Sequence, residues 1–325
     1  MHALRPMTTT RQELLEQALF RGDGLHLENP DYLDVVRSLL ETLLRSDVAS
    51  KDLTASALNL DDSRASAVIV TREPGVVAGL QELCWLLDRS NISVKSAKND
   101  GDPMESGDAL LHLQGKRGQL LALERVALNL LQRMSGIATA TRCFERRVAQ
   151  QNPSTRVVAT RKTLWGLLDK RAVHLGGGGT HRLSLADAIL IKNNHLALIA
   201  PLEEEAATAA IERAWRFRNE AAFIEVEVRS EAAALSSARA FRKLREASQQ
   251  PYPFLLMLDN MRPTAIATVL DTLRAQQLWD HVLIEASGGI SDSNLQAYAA
   301  TGVDAISVGS LTHSTRALDL FQRIQ

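Results

Sequence analysis

Val157-Val158-Ala159-Thr160-Arg161-Lys162 and Ala188-Ile189-Leu190-Ile191-Lys192 are two short apolar runs that each end in positive charge. Between them Gly176-Gly177-Gly178-Gly179, read as a flexible turn, leads into Thr180-His181-Arg182. Four further apolar runs follow, at residues 223–228, 254–258, 282–286 and 304–308. Helical patterns separate most of the six, at Glu203–Glu220, Ser230–Ala247, Pro263–Gln276 and Ser291–Thr301. Strands that recur with helices between them imply βαβ units and a parallel sheet, because parallel neighbours need a long crossover. Six such strands favour a barrel over an open sheet. A complete eight-strand barrel takes about 250 residues, so this one is expected to be incomplete.

Function in a parallel barrel collects at the carboxyl ends of the strands. Here those ends carry Arg161-Lys162, Lys192, Glu225 and Glu227, Asp259-Asn260, Ser287-Gly288-Gly289, and Val308-Gly309-Ser310. The cations suit a multiply anionic small molecule. The last two turns are small and glycine-rich, and exposed backbone N–H groups there make a phosphate cradle. Carboxylates beside so much positive charge bind Mg2+, directly or through water, or stabilise a cationic transition state. Plainer readings exist. Glu225 and Glu227 alternate with Val226 and Val228 and read equally as solvated strand residues, and Asp259-Asn260 also reads as a turn before Met261-Arg262-Pro263.

Composition sets the outer limits. At 325 residues the chain exceeds the usual ceiling of about 250 for one core, so two domains are expected. Net charge is −1, from 37 basic and 38 acidic residues, without the basic excess of a nucleic-acid binder. Any anion site must be made locally. The two cysteines, Cys84 and Cys143, lack CxxC spacing and fit a reducing cytoplasm. His181, His195 and His313 share no metal-ligand spacing, which argues against zinc. The glycine run has neither the dinucleotide nor the P-loop form. No apolar run approaches the length of a membrane span or a signal sequence.

The first half reads as an α+β domain. Thr10 to Glu13 has capping-box spacing before Leu14, Leu15, Ala18 and Leu19. A helix from Asp31 carries Leu33, Val36, Leu39, Leu40, Leu43 and Leu44, and the loop from Asp47 to Asp52 ends it. A strand is expected over residues 64–73, a turn at Pro74-Gly75, a helix over Leu80–Leu87 and short antiparallel strands within 91–115. Leu120 to Met134 is strongly helical, with Arg125, Asn129 and Gln132 on one polar stripe; Ser135-Gly136 is expected to break it before a further helix from Ile137. Arginines on such a stripe are mostly solvated.

In order, Lys51-Asp52-Leu53-Thr54, Leu123-Glu124-Arg125 to Asn129, Thr160-Arg161-Lys162-Thr163, the glycine run with His181-Arg182, Ile191-Lys192 to His195, Glu225-Val226-Glu227, Leu258-Asp259-Asn260, Glu285 to Ile290 and Ser307 to Ser314 all follow one pattern. It closely resembles the quinolinate phosphoribosyltransferase family, decarboxylating enzymes also called nicotinate-nucleotide pyrophosphorylases (carboxylating), over nearly the whole chain. The resemblance implies an α/β protein with an N-terminal α/β sandwich (1–134) and a C-terminal open, incomplete α/β barrel (135–325), whose final segment packs back on the first domain. It implies transfer of phosphoribosyl from phosphoribosyl pyrophosphate (PRPP) to quinolinate, with Mg2+ and no organic cofactor. It also implies a homodimer with a shared active site, any higher assembly being left open, and neither nucleic acid nor membrane as partner.

By motif, Arg125 of one subunit would reach the substrate carboxylates of the other. Thr160, Arg161, Lys162, His181, Arg182 and Lys192 would line the quinolinate and phosphate pocket, with Lys162 among the catalytic groups. Glu227 and Asp259 would serve catalysis and the metal, and Ser287, Gly288, Gly289, Val308, Gly309 and Ser310 would hold the 5′-phosphate. Three departures bear on substrate fit: Ala159 where the family often has Asp, Leu164-Trp165 for Thr-Pro, and Asn193 for Asp. The rival readings are a relative using another anionic acceptor and a non-catalytic phosphosugar-binding barrel.

Overall fold

The computed structural model describes residues 9–48, 52–60, 63–248 and 251–325. Residues 1–8, Lys51 of the Lys51–Thr54 motif and part of the Asp47–Asp52 loop lie outside these. The chain forms two compact units: Met1–Arg21 with Phe144–Arg161 and Gly179–Gly309, and Gly22–Cys143 with Lys162–Gly178 and Ser310–Gln325.

In the second unit, β1 (Arg64–Thr71), β2 (Gly75–Val76), β3 (Ser93–Ser96), β4 (Pro103–Met104), β5 (Ala109–Lys116) and β12 (Leu320–Ile324) supply two antiparallel sheets. The larger has the order β12-β1-β5-β3, with Val68 opposite His112 on one side and Arg323 on the other. Along β5, Leu111, Leu113 and Gly115 alternate with exposed residues, so one face carries the core. Leu80, Leu83, Leu86 and Leu87 are the buried leucines of the helix Leu80–Arg89, at the 3.6 period of a surface helix. Asp100 caps it, accepting from Leu80 N at 2.9 Å and Gln81 N at 3.2 Å.

The helix expected to end at Ser135-Gly136 does not. It runs unbroken from Arg117 to Gln151. The small residues are there for close approach: a Cβ on Gly136 would lie 2.2 Å from the Arg316 carbonyl oxygen, and Ser135 Oγ accepts from Ala78 N at 3.0 Å. Glycine inside a helix costs about 1 kcal/mol relative to alanine, which 35 residues of helix absorb.

The first unit holds β6 (Arg156–Val158), β7 (Ile189–Ile191), β8 (Ile224–Val228), β9 (Phe254–Asp259), β10 (Leu283–Ser287) and β11 (Ala305–Ser307). All pair in parallel, in the order β6-β11-β10-β9-β8-β7. These are the six expected strands, four of them slightly trimmed, with β9 one residue longer and β10 shifted by one. Among the described residues β6 and β7, consecutive in the chain, stand at opposite edges of the sheet, so the barrel is open between them. At the amino ends of the strands the capping-box helix Arg11–Leu19 packs Leu14, Leu15, Ala18 and Leu19 against Val158, Ala188, Phe223, Leu255, Leu283 and Ala305. That apolar plug leaves the polar side chains of the strands to gather toward the carboxyl ends.

Candidate active site

In the barrel unit, Glu225 and Glu227 share one face of β8, and both are buried rather than solvated. Their roles then diverge. Glu227, one pleat nearer the carboxyl end, has Lys192 Nζ 3.8 Å away, on a side chain that is 47% exposed. Glu225 lies deeper, with its Oε2 3.0 Å from His181 Nε2, while Glu285 Oε2 is 3.3 Å from the same nitrogen. Burial first, and the neighbouring Glu285 second, push the Glu225 pKa up to about 7.

His181 sits at φ +53°, a backbone conformation uncommon outside glycine, and its N–H donates to Leu19 O at 2.9 Å. Nδ1 accepts the Arg182 amide at 2.7 Å, which leaves the ring proton on Nε2, facing the two carboxylates. The ligand-type atoms of His181, Glu225 and Glu285 lie within 4.8 Å of one another. His181 thus faces the barrel interior and fixes the backbone from which Arg182 starts.

Arg182 is 6% exposed, and its Nη1 donates to Ala188 O at 3.4 Å. Burial, with the nearby Arg161 guanidinium next, lowers its pKa. A desolvated guanidinium beside a second one is an unfavourable arrangement in isolation, and an anion with two carboxylates relieves it. Arg161 itself is exposed, immediately after β6 and Thr160. Gly179 is no flexible turn. It bridges Val158 in parallel at the β6 edge, where a Cβ would meet Val158 Cγ1 at 2.7 Å.

Asp259 ends β9 directly beside Ser287 of β10. Its Oδ2 accepts from Arg229 Nε at 3.0 Å and Asn260 Nδ2 at 2.8 Å. Arg229 escaped the sequence reading, although a cation one residue past β8 repeats the pattern of Arg161 and Lys192. Gly288 and Gly289 have φ +92° and +62°, and a Cβ on Gly288 would stand 2.5 Å from Asn260 Oδ1. Glycine is therefore dictated by both backbone and space at 288. Ser307 Oγ donates to Ser287 Oγ at 2.8 Å, linking the last two strand ends. The Val308 amide donates to Val158 O at 3.0 Å, so Val308 anchors its turn and does not offer that N–H to a ligand.

Arg125, Lys162 and Ser310 belong to the second unit. Arg125 is 58% exposed at its side chain and 3.5 Å from Glu124, an arrangement worth little in water. The Lys162 backbone carbonyl accepts from Thr312 Oγ1 at 2.8 Å. Ser310 opens the short helix Ser310–His313.

Two sequence models of one family match this chain: "Quinolinate phosphoribosyl transferase, C-terminal domain" over residues 137–322, and the corresponding N-terminal domain over 52–135. The chain belongs to the quinolinate phosphoribosyl transferase family. A probable nicotinate-nucleotide pyrophosphorylase (carboxylating) of Methanothermobacter thermautotrophicus is 38% identical over 298 residues, covering 90% of this chain and 99% of that relative. A quinolinate phosphoribosyltransferase (decarboxylating) of Nicotiana tabacum is 31% identical over 299 residues, 89% of this chain and 82% of that relative. The solved nicotinate-nucleotide pyrophosphorylase of Francisella tularensis superposes with a TM-score of 0.77 at 30% identity, covering 90% of this chain and 96% of that one. Among the described residues, no helix of this family member is long and apolar enough to cross a membrane.

Proposed function

We propose that this family member transfers the phosphoribosyl group of PRPP to quinolinate with loss of CO2, forming nicotinate mononucleotide and pyrophosphate in NAD synthesis. One observation carries this reading most directly: Arg161 follows β6 with the buried Arg182 guanidinium near it, and the carboxylates of Glu227 and Asp259 stand toward the carboxyl ends of β8 and β9 in the same sheet. Two acceptor carboxylates need the first pair, and a developing ribosyl cation needs the second. A barrel that only held a phosphosugar would have no use for Glu227 and Asp259 beside phosphates.

The pyridine nitrogen attacks C1 of the ribose as the C1–O bond to pyrophosphate breaks, and the electron pair leaves with pyrophosphate. Positive charge develops on the ribose, and Glu227 and Asp259 stabilise it electrostatically. In the product the ring nitrogen is cationic. It accepts the electron pair left at the adjacent carbon as the carboxylate departs as CO2, and a proton then completes that carbon. Arg161, Lys162, Arg182 and Lys192 orient the two carboxylates, Arg by paired donors. Ser287, Gly288, Gly289, Gly309 and Ser310 take the 5′-phosphate.

Glu227 and Asp259 offer hard oxygen donors at half-open strand ends, which suits Mg2+ held directly, through water or through pyrophosphate. The ion, when bound, neutralises the leaving pyrophosphate. The buried His181 trio, with its nitrogen donor, does not suit it. We infer a division of labour between residues 1–134 and 135–325, with Leu320–Ile324 pairing back onto the first part; the family models over 52–135 and 137–322 support it. Two cysteines without a disulfide support a cytoplasmic location for the enzyme.

Purified protein with quinolinate, PRPP and Mg2+ is expected to release nicotinate mononucleotide and CO2 in equal amounts. Turnover of nicotinate but not quinolinate would overturn the decarboxylating assignment. The dimer carries its own prediction, because exposed Arg125 serves the partner's site. Inactive Arg125→Ala and inactive Lys162→Ala, mixed and exchanged one to one, regain roughly a quarter of wild-type activity, since half the dimers then hold one intact site. No recovery after proven subunit exchange defeats the shared site.

A further inference from the structure

Asp169 lies in Leu167-Leu168-Asp169-Lys170, outside every motif quoted above. In the structure its side chain is fully buried in the helix Leu167–Leu175. Arg133 Nε and Nη2 donate to its two oxygens at 2.9 and 2.7 Å, a paired geometry. Oδ2 also accepts the backbone amides of Leu164 at 2.9 Å and Trp165 at 3.1 Å. The Trp165 ring packs against Arg133, with its centroid 5.2 Å from the guanidinium carbon. Arg133 Nη2 reaches onward to the Thr312 carbonyl at 2.9 Å, and Thr312 Oγ1 returns to the Lys162 carbonyl at 2.8 Å.

These contacts close a ring. It runs from Lys162 through Leu164 and Trp165 to Asp169, across Arg133 to Thr312, and back to Lys162. Two turns carry the residues assigned above to substrate: Lys162 begins one, and Ser310, two residues before Thr312, begins the other. Neither turn has regular structure long enough to fix itself. A buried carboxylate that gathers two amides and a guanidinium is a costly group to desolvate, and it persists where the arrangement is needed.

We propose that Asp169 is a positioning residue which, through Arg133 and Thr312, locks the Lys162 turn to the Ser310 turn and so sets acceptor against phosphoribosyl donor. The proposal rests on the substrate roles of Lys162 and Ser310 given above. It also gives Trp165 a purpose. The family's usual proline there has no N–H, whereas the Trp165 amide is one of the bonds that Asp169 holds.

The test uses the full-length enzyme and the variants Asp169→Asn, Thr312→Val and Thr312→Ser. Asp169→Asn is expected to raise KM for quinolinate and for PRPP together, by about tenfold each, and to speed amide exchange at Leu164 and Trp165. Thr312→Val removes the hydroxyl that ties this turn to the Lys162 carbonyl, so it should move both KM values the same way by less, and Thr312→Ser should restore them. The proposal fails if Thr312→Val leaves both KM values within twofold of wild type, or if Asp169→Asn shifts one substrate alone. Failure of the function reading is distinct: wild type would not turn over quinolinate, yet protection of the Leu164 and Trp165 amides, and its loss in Asp169→Asn, would still report the lock.

Discussion

Arg182→Ala should lower kcat/KM for quinolinate about 10²–10³-fold while changing KM for PRPP less than about threefold. The size follows from burial. Arg182 is 6% exposed, and a charge-assisted pair of hydrogen bonds made away from water is worth roughly 3–4 kcal/mol, where each 1.4 kcal/mol is tenfold. Arg182→Lys should recover little of this, because an ammonium cannot offer the planar fork that two carboxylate oxygens accept. Steady-state rates with each substrate varied in turn decide the matter. A loss below tenfold, or one of equal size for both substrates, would remove Arg182 from the acceptor pocket.

Glu227→Gln should reduce kcat by about 10²–10³-fold, with a far smaller change in KM for quinolinate. The amide keeps the shape of the carboxylate and its reach toward Lys192, 3.8 Å away, so the missing charge is what the experiment reads. A carboxylate that acts on positive charge developing at the ribose is needed in the transition state and hardly before it. One that serves through Mg2+ would also raise the metal concentration needed for half-maximal rate. Titrating Mg2+ against both enzymes separates these contributions. A kcat within threefold of wild type would mean that Glu227 only offsets Lys192.

The parallel strands were legible because most are short apolar runs ending in a residue with chemistry to do. Strands buried on both faces mostly lack polar alternation, and β8, with Glu225 and Glu227, is the exception. Arg161, Lys192, Glu227 and Asp259 were found for the same reason. What was not legible depends on close approach and direction. Gly136 reads as a break in the sequence, and only the Arg316 carbonyl beside it shows that the glycine makes room. Glu225 and Glu227 look alike at spacing two, yet one faces His181 and the other Lys192. Asp169 and Arg133 stand 36 residues apart, and no local period links them. Arg229 was within reach, since the rule that found Arg161 and Lys192 applies to it unchanged.

The plug beneath the barrel and the edge strand of the antiparallel sheet bear on how the chain is made. Leu14 and Leu15 enter a core that includes Ala305, and β1 at Arg64–Thr71 takes β12 at Leu320–Ile324 as its neighbour. Early residues therefore wait for partners synthesised about 250 to 290 codons later. At ribosomal speeds of about 5–20 residues per second that delay lasts roughly 15–60 seconds. During it, an amphipathic helix and an unpaired strand edge stand open to other chains. Contacts this distant in sequence also form slowly once both partners exist. The vulnerable moment of this enzyme is its birth, and slowing initiation or lowering temperature during expression acts on that interval.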